Sequence, residues 1–183
     1  MSTKLTYPGR DVSKAALAAV VQEETTGTQA PAYDVIELFF FAYRDFVADP
    51  DRVLADYAFG RAHHRVLHFV ARRPGLAIAE LLELLRITKQ SLNRVLKELI
   101  DKGFIEQRTG TADRRQRLLF PTSAGRDLAM QLAQIQTMRI RRALTAAGCD
   151  DAEQAASRFL LGMIDPEGRG QVHQGTEEDR LAR

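Results

Sequence analysis

The chain has 183 residues, 45% of them hydrophobic, with 26 Lys and Arg against 24 Asp and Glu and a single cysteine. That length suffices for an ordinary hydrophobic core without covalent staples, and one cysteine excludes an internal disulfide, as suits a reducing compartment. No run of about 18 apolar residues is present to span a bilayer and no signal-type apolar block opens the chain, so the sequence points to a soluble, cytoplasmic protein with no membrane partner.

The charge is unevenly placed. From Arg86 to Arg117 there are nine basic and four acidic residues, which leaves 17 basic and 20 acidic residues elsewhere. A basic segment in an otherwise slightly acidic chain is the footprint of a surface that meets a polyanion.

Residues 1–30 read as an N-terminal arm. An alanine-rich, weakly amphipathic helix over 12–22 is followed by a linker, and the arm is expected to order, in part, against a partner or another subunit. Pro31 then opens a helix over 31–48 with Val35, Leu38, Phe39, Ala42 and Phe46 on one stripe. Phe40, Phe41 and Tyr43 widen that stripe beyond what one domain core covers, which calls for a subunit interface, an aromatic ligand cleft, or both.

Residues 51–73 continue as a second helix or a bent pair, ended by Pro74-Gly75. His63 shares a face with Phe59, Val66, Leu67 and Val70 and reads as a core histidine. The opposite stripe holds Arg61, His64, Arg65, His68 and Arg72. His64 and His68 are spaced to share a metal ion, but three arginines beside them repel a cation, and an anion site or a subunit contact is preferred.

A short apolar helix over 79–85, a connection at Arg86-Ile87 and a longer helix capped by Thr88 make a helix-turn-helix. Leu92, Val95, Leu96, Leu99 and Ile100 recur at helical spacing, leaving Lys89, Gln90, Asn93, Arg94 and Lys97 on the other face. Side chains of that kind bind phosphates and read base edges. Gly103 closes the helix, strands are expected over 104–108 and 115–120, and residues 109–113 make the turn of a hairpin, or wing. Asp113 is placed to orient Arg114 and Arg115, and arginine at such a tip suits a narrow minor groove.

Thr122 caps a further helix that carries Leu128, Leu132, Ile135 and Met138 and runs to about Ala147. A break at Gly148-Cys149-Asp150 precedes a last helix over 151–164 with Ala156, Phe159, Leu160 and Met163 on its apolar side. Residues 165–183 lack periodicity and read as a flexible tail. The fold class is therefore mainly α with a small β wing, a winged helix-turn-helix domain over 51–121 flanked by helices over 31–50 and 122–164. No phosphate-cradling glycine loop or nucleophile elbow is present, so no enzyme, cofactor or metal is expected.

From Pro31 to Ile164 the order of elements resembles the MarR family of winged helix-turn-helix regulators, and within it the PetP-type branch. The resemblance is carried by Thr88 to Leu99, Gly103-Phe104-Ile105 with Arg108, Asp113-Arg114-Arg115, and Thr122 with Gly125. The family's wing signature is Asp, one residue, Arg and, soon after, Leu-Thr-x-x-Gly; here Pro121 stands in place of the leucine, which predicts weaker strand pairing at the wing's base. The resemblance implies a homodimer, its helical dimerisation region formed by residues 31–50 and 122–164, and most simply a repressor on a palindromic operator in double-stranded DNA. Thr88, Lys89, Gln90, Ser91, Asn93 and Arg94 would enter the major groove, and Arg114 with Arg115 the minor groove. It also implies release by a small aromatic or anionic effector, for which Tyr43, Phe46, Arg65 and His68 are the candidate residues. Cys149 reads as a small buried hydrophobe rather than an oxidant sensor. The rival reading is an architectural DNA-binding protein with little sequence preference, using the same basic surface.

Overall fold

Leu92, Val95, Leu96 and Leu99 are buried, as their spacing predicts, and the core is assembled around them. The computed structural model describes residues 30–110 and 114–173. The expected arm (but for Ala30), the end of the chain beyond His173, and Asp113 lie outside the described residues. The described elements are α1 (Tyr33–Ala55), α2 (Arg61–Arg72), β1 (Leu76–Ala77), α3 (Ile78–Leu85), α4 (Lys89–Asp101), β2 (Ile105–Thr109), β3 (Arg117–Pro121), α5 (Ser123–Ala147), α6 (Ala152–Gly162) and α7 (Pro166–His173). The fold is mainly helical with one small antiparallel sheet, as expected.

The core joins α2, α3 and α4 to the sheet and to the first turns of α5. Val66, Leu67, Leu81, Leu92, Leu99, Ile105, Leu119 and Leu132 are essentially removed from water. Burying a Leu or Ile side chain contributes about 2 kcal/mol, so this cluster is the main force holding the helix-turn-helix to its wing.

The first helix departs from the expected boundary. α1 runs through Pro50 to Ala55, and the chain breaks instead at residues 56–60, where Ala58 takes a left-handed backbone. Val47, Pro50 and Leu54 are buried along one stripe, so apolar packing offsets the hydrogen bond that Pro50 cannot donate. On the α1–α5 contact, the Arg139 guanidinium donates to Asp49 Oδ2 from Nε at 2.9 Å and from Nη2 at 2.6 Å.

The sheet has the order β1-β3-β2. The two-residue β1 is invisible to sequence periodicity, yet it pairs Leu76 with Leu119 and Ala77 with Leu118 and makes the wing three-stranded. Pro121 is the terminal β3 residue, opposite Ile105, so its missing donor falls at the end of the ladder rather than within it.

The wing's base is tied to α5 by the Thr122 and Gly125 pair. Thr122 N–H donates to the Phe104 carbonyl at 3.1 Å, and its hydroxyl donates to the Gly103 carbonyl at 2.7 Å while accepting the Gly125 N–H at 3.0 Å. Gly125 sits so close to Phe104 that a Cβ there would lie 2.0 Å from its carbonyl oxygen.

Two further expectations are corrected. Pro166–His173 is helical, whereas the sequence has no periodicity there, because α7 is organised by what it docks on. Cys149 is exposed rather than buried, since the break after α5 carries it out of the core. The apolar helix α6 ends at Gly162, and Phe159, Leu160 and the following Met163 are about half exposed.

Candidate nucleic-acid interface

The reading helix begins at a well-formed cap. Thr88 has an extended backbone, and its Oγ1 accepts the Ser91 N–H at 3.2 Å and donates to Ser91 Oγ at 2.9 Å. The first turn is thereby fixed with its free N–H groups pointing out, where a phosphate is favoured. Lys89, Gln90, Asn93 and Arg94 join Thr88 and Ser91 on this exposed surface, so all six sequence-predicted positions lie on the outer side of α4 and its cap. Lys97, on the same helix, pairs with Asp101, whose carboxylate raises the Lys97 pKa through their hydrogen bond.

His63 positions this helix from behind. Its Nδ1 accepts the Gly60 N–H at 3.1 Å at the start of α2, so the ring proton is on Nε2, which donates to Glu98 Oε2 of α4 at 2.9 Å. The ring also stacks on Phe59, centroids 4.7 Å apart. The expected core histidine is largely buried and satisfied at both ring nitrogens, and it bridges α2 to the reading helix.

The wing places Arg114 and Arg115 in the exposed turn before β3. Its strands are braced by Arg117, which donates to Thr109 Oγ1 at 2.7 Å, and by Arg108, whose guanidinium lies 4.5 Å over the Phe120 ring and pairs with Glu106. Sequence reasoning missed the Arg117–Thr109 and Arg108–Phe120 contacts, because those partners stand across the ladder rather than next in the chain.

The four residues predicted for an effector come together. Tyr43, Phe46, Arg65 and His68 line one cavity of about 430 Å³ between α1, α2 and α5, with Arg61 and His64 also on its wall. Burial pushes the His64 pKa down, against the opposing pull of Asp51. Burial is likewise the largest cause of the lowered His68 pKa, followed by His64, Arg72 and Arg73. Among the described residues no group of three or more His, Cys, Asp or Glu side chains is placed to hold a metal ion.

The lowered histidines set a sign for stability against pH. The unfolded chain binds protons at these two sites more readily than the folded one, so their contribution is fully present above the ordinary histidine value of 6.5 and is lost as pH falls through the lower folded values. The urea midpoint should fall between pH 7.5 and pH 5, and the His64→Gln/His68→Gln double variant should flatten that fall. A midpoint that rises on acidification would contradict the assignment.

Comparisons with known proteins agree with this geometry. The MarR family model matches residues 59–116, which run from just before α2 into the wing. The chain is 49% identical over 131 residues to the HTH-type transcriptional regulator PetP of Rhodobacter capsulatus, covering 72% of this chain and 78% of that protein. In fold it is similar to the transcriptional regulator SlyA, with a TM-score of 0.61 at 16% identity over 71% of this chain and 91% of the other. The same holds for the reduced form of MarR from E. coli, with a TM-score of 0.57 at 19% identity over 76% and 100% of the two chains. Near half identity to a helix-turn-helix regulator across most of both chains, carried on the winged scaffold, establishes that this chain belongs to the MarR family of transcription regulators.

Proposed function

We propose that this MarR-type transcription regulator is a homodimeric repressor that reads a palindromic operator and is released from it by a small aromatic or anionic effector. The DNA-binding fold and the regulator class come with family membership; the dimer, the operator symmetry and the effector are the finer reading. The observation that carries it is the outward polar surface of α4, where Thr88, Lys89, Gln90, Ser91, Asn93 and Arg94 are exposed together over a fully buried apolar face. Two copies would set their α4 helices in successive major grooves roughly 34 Å apart, with Arg114 and Arg115 reaching the minor groove.

The paired arrangement is supported by apolar surface that this chain leaves uncovered. Leu38, Phe40 and Phe41 on α1 are 66%, 69% and 52% exposed, and Phe159 and Leu160 on α6 lie about half open beside them through the Phe39–Phe159 contact. Exposed patches of this kind mark protein interfaces. The effector reading is supported by the cavity of Tyr43, Phe46, Arg65 and His68, which joins aromatic walls to a cation at the junction of α1 with the reader.

Competition by random DNA at physiological salt tests the reading against architectural binding: a specific regulator should keep its operator by several powers of ten. Arg94→Ala should cost about 1–3 kcal/mol on the operator, with the preference at one base pair relaxed. A uniform loss on every sequence would show that Arg94 holds phosphate only.

A further inference from the structure

A second cavity, of about 570 Å³, lies under the C-terminal helix α7. It is separate from the Tyr43 cavity, although His68 and Phe69 line both. Its apolar wall is Phe69, Leu84, Met163, Ile164 and Val172, and its basic side is Arg72, Arg73 and Arg86, with Asp165 the one acidic residue on the lining among the described residues.

One of these arginines, Arg73, holds α7 in place. Arg73 Nη2 donates to the Gln171 carbonyl at 2.5 Å, and the Arg86 guanidinium meets Asp165 at 4.0 Å, beyond hydrogen-bonding distance. Arg86 is also the turn residue of the helix-turn-helix and takes a left-handed backbone, φ 50°. α7 itself contains Gly168 and Gly170, and each glycine weakens a helix by about 1 kcal/mol, so it is held by docking rather than by its own helicity.

We infer that this cavity is a binding site for an amphipathic organic carboxylate, its charged end on Arg86 and Arg73 and its apolar body along Phe69, Leu84 and Met163. A guanidinium fork pairs with a carboxylate through two parallel hydrogen bonds, which Asp165 at its present distance does not supply. A volume of this size accepts a small ligand, and the guanidinium groups of Arg73 and Arg86 on its wall favour an anion.

Calorimetric titration of the full-length protein, without DNA, tests the site with octanoate, octanol and octylamine as probes. Octanoate should bind at least about tenfold more tightly than octanol, the worth of a charge-assisted hydrogen bond, and octylamine should not bind. The Arg73→Gln/Arg86→Asn double variant should lose octanoate by a similar factor, asparagine being tolerant of the left-handed turn. Met163→Trp, which fills the apolar end without altering charge, should also lose it, while Gln136→Leu in the other cavity should bind normally. Absence of octanoate binding at millimolar concentration, equal binding of octanol, or a loss in Gln136→Leu as large as in the double variant would overturn the assignment. None of these outcomes depends on whether the protein reads an operator.

Discussion

Gly125→Ala is expected to destabilise the protein by roughly 3 kcal/mol or more, placing it among the most damaging single-methyl changes available in this chain. The new Cβ would meet the Phe104 carbonyl at 2.0 Å, and the atom in its way is backbone at the base of the wing, not the end of a flexible side chain. Relief requires α5 to move away from β2, which breaks the Thr122 hydrogen bonds to Gly103 and Phe104 and opens the core at Leu128. Urea unfolding measures the effect directly. Gly170→Ala is the control, because that Cβ meets nothing within 4 Å and the change should stabilise α7 by about 0.5–1 kcal/mol if it acts at all. A Gly125→Ala midpoint equal to the parent's would show that the wing and α5 are not locked as described.

The second large effect concerns pairing. Leu38→Glu/Phe41→Glu places two carboxylates on the exposed apolar side of α1, and a two-fold interface counts each of them twice. Burying four unpaired charges is far costlier than leaving them in water, so self-association should weaken on the order of 1000-fold or more. Neither side chain belongs to the buried core, so the monomer should keep its unfolding cooperativity. Sedimentation equilibrium distinguishes the outcomes. A double variant that remains a tight dimer would move the interface elsewhere, and the apolar surplus on α1 would then need another occupant.

Much of this architecture is local, and the local part was legible. The Thr88 cap, the Leu92 to Leu99 stripe and the Thr122 cap each depend on residues three or four positions apart, which is the range a helix period encodes. The wing's existence was readable from Gly103, whose φ of +76° needs a glycine at the helix end, and from the alternation that follows. What escaped depends on distant partners. β1 is two residues long and exists only by pairing with β3, α7 is tied down by Arg73, 98 positions from its Gln171 partner, and the helix break falls after Leu54, whose side chain belongs to the reader's core.

The candidate site divides in the same way. The outward residues of α4 follow from periodicity, since whatever opposes a buried stripe faces solvent. The grouping of Tyr43 with Arg65 and His68 follows from the resemblance to the family, which implies an effector between the dimer helices and the DNA-binding domain, and it joins residues of two helices. The His63 bridge to Glu98 spans 35 positions and carries no sequence signal beyond a histidine on an apolar face.

The central claim is that two copies of α4 read one symmetric site. The most direct measurement is a binding selection from random duplex DNA with the purified protein at physiological salt, followed by a footprint on the enriched sequence. A paired reader should enrich two inverted half-sites with centres about one helical turn apart, roughly 10 base pairs, each protected and each weakened by Arg94→Ala. Enrichment of no sequence, or of a single half-site bound equally well by the Leu38→Glu/Phe41→Glu variant, would contradict it.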